Sequence, residues 1–404
     1  MMVTIFTGLK YCSALIDRDT VRPNVEESLR ILSEEGDYKR FVAPLSVSQL
    51  DNYTDALMIG EVLAGHPDAS AFENMLRSPI YCHDDTISNS LGTYLVVTHQ
   101  LPDRMFDYYR YWHGYDVTLR PMLTIGDIRI IRVINYILIF SLTIITVGML
   151  YRRSGKYYTL VFLITLLAIG LPLVPMSLQY SSCVFIALTS MALILMVDPD
   201  RLRPSAVGLT FLVIGGMTSF LDLLTAPLLT FGMPAVTVLL LRNRFPDYRI
   251  LLLMVIMWIT GYAGIWIFKW VSVAGFIDSD IWREVTDQAT TRFGSVTSIG
   301  ERKIKGLILA GTLLTISVGI IIWVYLTIRK EGGEERKKYL SLVVVGLLPF
   351  IWMASMQNQT FAHFWYTSRA FGITVWSLGV YALKVYKTKL PKLQLQGNTY
   401  GRDK

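Results

Sequence analysis

Two carboxylates stand four residues apart in Leu50-Asp51-Asn52-Tyr53-Thr54-Asp55, a spacing that puts both on one face if the stretch is helical. Such a pair can act as a general base, hold a divalent cation, or cap and solvate a loop. Mg²⁺ or Mn²⁺ would suit oxygen donors, although no fixed ligand spacing here demands either. His83-Asp84-Asp85 offers a second acidic group with the same range of uses.

The densest aromatic cluster is Tyr108-Tyr109-Arg110-Tyr111-Trp112-His113-Gly114-Tyr115. An interfacial belt with Arg110 snorkelling to water explains Tyr and Trp well. Arg110 and His113 among aromatic faces also suit sugar rings and phosphates, because ring faces stack while charged donors reach oxygens. Trp112 fits either reading.

Asp222, in Ser219-Phe220-Leu221-Asp222-Leu223-Leu224-Thr225, and Lys269, in Ile267-Phe268-Lys269-Trp270, fall within apolar stretches. An ionised group there costs about 2.5–3.5 kcal/mol on insertion scales, so each needs a partner or a task. They can pair with each other, Lys269 can snorkel to the interface, or Lys269 can hold an anionic headgroup. Counting from the basic loops places both near the level of His363 and Arg369, at the end of the polar and aromatic segment that starts around Asn358. Convergence of these groups at one depth is the expectation.

The elements that must position these residues are apolar segments of about the length a membrane-crossing helix needs. They run at 130–150, 158–175, 178–197, 205–221, 224–241, 250–275, 306–328, 339–356 and 370–386, with residues 2–16 as a shorter first one. Hydrophobic residues make up 52% of the 404 and mean hydropathy is +0.43. Basic clusters at Arg152/Arg153/Lys156, Arg201/Arg203, Arg242/Arg244/Arg249, Arg329 to Lys338, and from Lys384 onward mark every second end as cytoplasmic. The outward elements are then 17–128, 276–305 and 356–369.

The expected architecture is an all-α membrane protein of about ten transmembrane helices with a large, mainly helical first outward loop. Its parts are a first segment at 1–16, truncated by the choice of start codon, a loop domain at 17–128, a bundle at 129–386 and a basic cytoplasmic tail at 387–404. Within the loop, Pro23 to Leu32 carries apolar residues at helical spacing. The two segments around Asp222 are expected to be broken or re-entrant, given Gly215-Gly216, Pro227, Gly232 and Pro234.

The net charge of +7 sits in the short basic loops and tail, which argues for topology and anionic lipid and against nucleic acid. Cys12, Cys82 and Cys183 are too few and scattered for a disulfide framework or a metal cage. Walker A, zincin, nucleophile-elbow and dinucleotide-binding signatures are missing. The sequons at Asn52 and Asn358 read as chance.

Along nearly its whole length the chain resembles the GT-C superfamily of polytopic glycosyltransferases. More narrowly, Asp51 to Asp55, Arg110 to Tyr115, Phe220 to Thr225 and Asn358 to Arg369 resemble a group of bacterial membrane proteins placed near it. The resemblance implies inverting sugar transfer from a polyprenyl-phosphate-linked donor to a glycan, lipid or protein acceptor at the outer leaflet of the cell membrane. It maps the essential carboxylate onto Asp51 or Asp55; the departing phosphate of such a reaction needs cationic donors, a part that Lys269, Arg369 and His363 can supply. A Wzy-like polysaccharide polymerase would share most of these features. A transporter would place its ionisable site near the midplane within an internal repeat, and a scaffold needs no convergent site.

Overall fold

The computed structural model describes residues 1–43, 45–197, 203–242, 248–278, 280–293, 312, 315–326 and 338–387. Among these the fold is almost entirely helical. Its one sheet is a two-stranded antiparallel ribbon, β1 (Pro79–Cys82) on β2 (Arg104–Asp107), with Pro79 opposite Asp107.

The first third carries α1 (Met2–Ala14), α2 (Arg18–Glu35), α3 (Asn52–Glu61), α4 (Ala71–Arg77), α5 (Asn89–Val97) and α6 (Asp116–Ile125). The amphipathic stretch read at 23–32 is the centre of α2, which buries Val21, Val25, Leu29 and Leu32 at intervals of three and four residues. That face packs on Ala56, Ile59 and Leu63 from α3 and its C-terminal end, and on Leu119 and Leu123 of α6.

The bundle follows: α7 (Ile128–Ser154), α8 (Lys156–Ala168), α9 (Leu178–Met196), α10 (Pro204–Leu221), α11 (Pro227–Leu241) and α12 (Tyr248–Phe276). After the short α13 (Ile281–Phe293) come α14 (Thr315–Leu326), α15 (Leu340–Ser355), two short turns at Gln357–Ala362 and Phe364–Thr367, and α16 (Phe371–Lys387).

Each expected apolar segment that falls within the described residues has a helix at its place. Among the described residues only α7, α9, α10 and α12 are long and apolar enough to cross a membrane, by length and composition, which corrects the expected ten. For α8, α11 and α15 the reason is helix length, not composition, whereas α1 and α16 are also less apolar. A crossing takes about 20 residues at 1.5 Å each, whereas α1 has 13, α8 13, α11 15, α15 16 and α16 17. Several are cut by backbone features inside the apolar run: α8 gives way at Gly170, in the left-handed region at φ +69°, to a 3₁₀ turn containing Pro172 and Pro175. The run read at 306–328 lies mostly outside the described residues, as does the tail from 388.

The break expected at Asp222 is present. α10 stops at Leu221, Leu224 adopts φ +64°, and α11 restarts at Pro227. Asp222 bridges the break by accepting from the Thr225 backbone N–H at 3.0 Å. α10 and α12 approach at Gly215 and Gly261, where a Cβ on either would collide with the partner helix's backbone.

Candidate functional site

Three segments meet around a cavity of about 530 Å³: the loop domain, through Asp51, Tyr108, Arg110, Tyr111 and His113; α13, through Gln288, Thr291 and Arg292; and the stretch after α15, through Asn358, Gln359, His363 and Tyr366. These are the segments that the basic-loop pattern places on one side. Asn358 ties two of them together by donating to the Thr291 carbonyl at 2.7 Å.

Asp51 is the N-cap of α3. Its carboxylate accepts from the Thr54 backbone N–H at 3.1 Å, the capping bond that makes Asp favourable at a helix start, and from Trp365 Nε1 at 3.4 Å. It is 2% exposed yet lines the cavity. Burial pushes its pKa up to about 6, against the pull of those donors. Among the described residues it is the one carboxylate lining the cavity.

Asp55 does not share that opening. It points the other way, accepting from Ser177 Oγ at 3.0 Å, Leu178 N at 3.2 Å and Gln179 N at 3.1 Å, and so caps the N-terminus of α9. Burial raises its pKa to about 7 while these donors oppose the shift. Asp55→Ala would orphan two backbone N–H groups and a hydroxyl. A loss of about 2–4 kcal/mol in unfolding free energy is expected, with ligand binding by the folded fraction unchanged; a chemical-unfolding series checks it.

Asn52, between the two aspartates, is fully buried. It donates to Glu35 and to the Gly36 carbonyl, and Glu35 holds Arg132 of α7 at 2.7 and 2.9 Å. This clamp fixes α3 against α2 and the bundle.

Two guanidinium groups stand in the cavity wall. Arg110 lies 4.6 Å from the Tyr108 ring centroid and 3.8 Å from Glu284. Arg292 donates to Tyr111 Oη at 2.6 Å. His363 stacks on Tyr366 at 5.0 Å, and its Nδ1 is buried without a hydrogen-bond partner. Burial and the neighbouring Arg292 lower its pKa to about 4, so at pH 7 it is a neutral imidazole.

His113, at φ +54°, is held by a buried cluster. Its Nε2 lies 2.9 Å from the Tyr108 carbonyl, which can only accept; its Nδ1 lies 2.6 Å from Glu61. Glu61 also accepts from Tyr115 Oη and sits 3.7 Å from Lys10, which donates to the Trp112 carbonyl at 2.6 Å and pairs with Asp116. Burial raises the Glu61 pKa, but His113 and Lys10 outweigh it and hold the carboxyl below its ordinary range.

The expected convergence of Lys269, Asp222, Arg369 and His363 is corrected: only His363 reaches the cavity. Lys269 is fully buried and donates to the Leu76 and Met75 carbonyls at 2.7 and 3.4 Å, satisfying the C-terminus of α4. Its ammonium lies 5.5 Å from the ring of Trp112, itself buried with Nε1 donating to Ile265. Arg369 donates to the Ile169 and Val47 carbonyls and lies over Tyr180. Asp222 and Lys269 do not pair. Equal depth along the helix axes is what sequence counting gives; the direction each side chain faces around the axis sends them apart.

Asp84 caps its own turn by accepting from Thr86 N at 2.9 Å, and Asp85 lines an adjoining groove. No group of three His, Cys, Asp or Glu residues able to hold a metal occurs among the described residues. Among the described residues one carboxylate lines the cavity, with its oxygens already accepting, and that donor set does not fit Mg²⁺ or Mn²⁺.

Sequence reasoning missed Arg292, Trp365 and Gln288. Arg292 sits on an outward helix read only as charged and Ser/Thr-rich, and Trp365 stood in the quoted aromatic segment without a role of its own.

No family model, no curated protein and no solved structure matches this chain.

Proposed function

We propose that this protein is a membrane glycosyltransferase that moves a sugar from a polyprenyl-phosphate-linked donor to an acceptor at the outer leaflet. One observation carries the reading. A second cavity of about 300 Å³, walled by Leu224, Tyr262, Trp266, Trp270, Val285 and Met356, adjoins the first and shares Arg110, Tyr111, Gln288 and Arg292 with it. A polar chamber and an apolar one therefore meet at two guanidinium groups. An amphiphile with an anionic junction fits that order: isoprenoid on the aromatic wall, phosphate at Arg110 and Arg292, sugar beside Asp51.

The proposed chemistry uses these positions. An acceptor hydroxyl attacks the anomeric carbon and gives its proton to Asp51; the new C–O bond forms as the bond to the phosphate oxygen breaks, inverting the centre. The phosphate leaves with the electron pair, and its charge is met by the arginines. The four long apolar helices anchor the chain. In this reading the loop domain lies outside.

The test is binding of a polyprenyl monophosphate to the purified protein in nanodiscs. Arg110→Ala or Arg292→Ala should weaken it by about ten- to a hundredfold, the value of one charge-assisted contact. Lys269→Ala and Arg369→Ala, where they fold, should bind as the wild type does. Unchanged binding in folded Arg110→Ala and Arg292→Ala proteins overturns the proposal.

A further inference from the structure

Beside the Asp51 cavity, on the loop domain, lies a groove of about 420 Å³. The two share Tyr38, Tyr53, Leu57 and Ile80, and so form one continuous depression. Tyr53 and Tyr38 stack with ring centroids 6.0 Å apart and planes within 6°. Tyr38 meets Trp365 edge-on at 5.2 Å, and Trp365 Nε1 donates to Asp51. A row of aromatic rings thus runs from the outer groove to the carboxylate. Tyr38 and Tyr53 nonetheless remain 45% and 38% exposed.

The floor under this row is built, not incidental. Asp37 accepts from Asn89 N at 2.8 Å, Ser90 N at 2.9 Å and Ser90 Oγ at 2.6 Å, which fixes the start of α5. Asn89 in turn donates to the Tyr53 carbonyl at 2.8 Å and meets His83 Nε2 at 3.0 Å. The far wall presents His83, Asp85, Thr86 and Ser88, and no Lys or Arg is among the described residues lining it. A phosphorylated ligand would find no cation there. Ring faces on one side and hydroxyl, imidazole and carboxylate groups on the other match what a chain of sugar rings offers, apolar faces with hydroxyl edges.

We infer that this groove binds a linear glycan of several sugar residues as the acceptor, presenting its terminal ring to Asp51. The inference rests on the transferase reading above and adds the acceptor's class: a multi-ring saccharide, not a lipid, a single sugar or water.

The experiment uses the full-length protein in nanodiscs. The probes are size-fractionated fragments of the source organism's own surface polysaccharide, from one to about six rings, with a polyprenyl monophosphate as a separate ligand. Affinity should rise with fragment length and then level off. Tyr53→Ala should weaken the longer fragments by roughly three- to tenfold, the scale of one lost stacking contact, and Tyr53→Trp should restore them. Asp85→Ala, on the exposed rim, gives a second variant that leaves the core intact and should weaken the same fragments. Polyprenyl monophosphate binding should be equal in all of them. Fragment binding that is absent or independent of length, by a wild type that still binds the phosphate, overturns the glycan groove and leaves the transferase reading in place. Fragment binding without phosphate binding overturns the donor assignment instead.

Discussion

Asp51→Asn is expected to lower sugar transfer by about 10²–10⁴-fold, the usual contribution of a positioned general base. Asn keeps the size and the oxygen that accepts from Thr54 N, so α3 stays capped and the fold is preserved. What is lost is the proposed proton acceptor. The pH profile gives an independent check. Burial raises Asp51 to about 6, so the base form is full above that pH, and kcat/KM should fall about tenfold per unit below it. Full transfer by a normally expressed Asp51→Asn protein would remove the assignment. So would a flat profile between pH 5 and 7.

The second large effect is on stability. Lys10, Glu61, His113 and Asp116 are all nearly inaccessible, and they join the N-terminal helix to the loop domain and the cavity wall. Removing one member of a buried ionic cluster leaves the others uncompensated, at about 3–5 kcal/mol. Glu61→Ala strands Lys10 and His113 and should lose that much in denaturant unfolding. Lys10→Met/Glu61→Gln removes one charge of each sign together, and should recover a good part of the loss. If Glu61→Ala unfolds with the wild type, the cluster does not hold the domain together. Because His113 faces the cavity, the variants should also lose activity before they lose helix content.

Much of the fold was legible because apolar runs and basic ends are one-dimensional signals. Every expected segment within the described residues has a helix at its place. Their lengths were overread, since the turns at Gly170 and Asp222 interrupt apolar runs that hydropathy counts as continuous. Of the residues lining the cavity, Asp51, Arg110, His113, Asn358 and His363 were singled out from residue type and outward placement. Lys269, Arg369 and Asp55 were misplaced because each satisfies backbone groups at a helix end or loop, and those needs appear only once helices pack. Arg292 was passed over because charge on an outward helix looks like a solvated face until Tyr111 is seen against it.

The most direct measurement is mass spectrometry of both the lipid-linked sugar pool and the surface glycans in cells carrying either the wild-type chain or Asp51→Asn. If the protein transfers a sugar from a polyprenyl phosphate, the Asn variant should accumulate a polyprenyl-phosphate-linked monosaccharide, and the same sugar should disappear from the surface glycan. Build-up of a long lipid-linked glycan would mark a polymerase instead. An unchanged lipid pool together with an unchanged surface glycan would contradict sugar transfer by this protein.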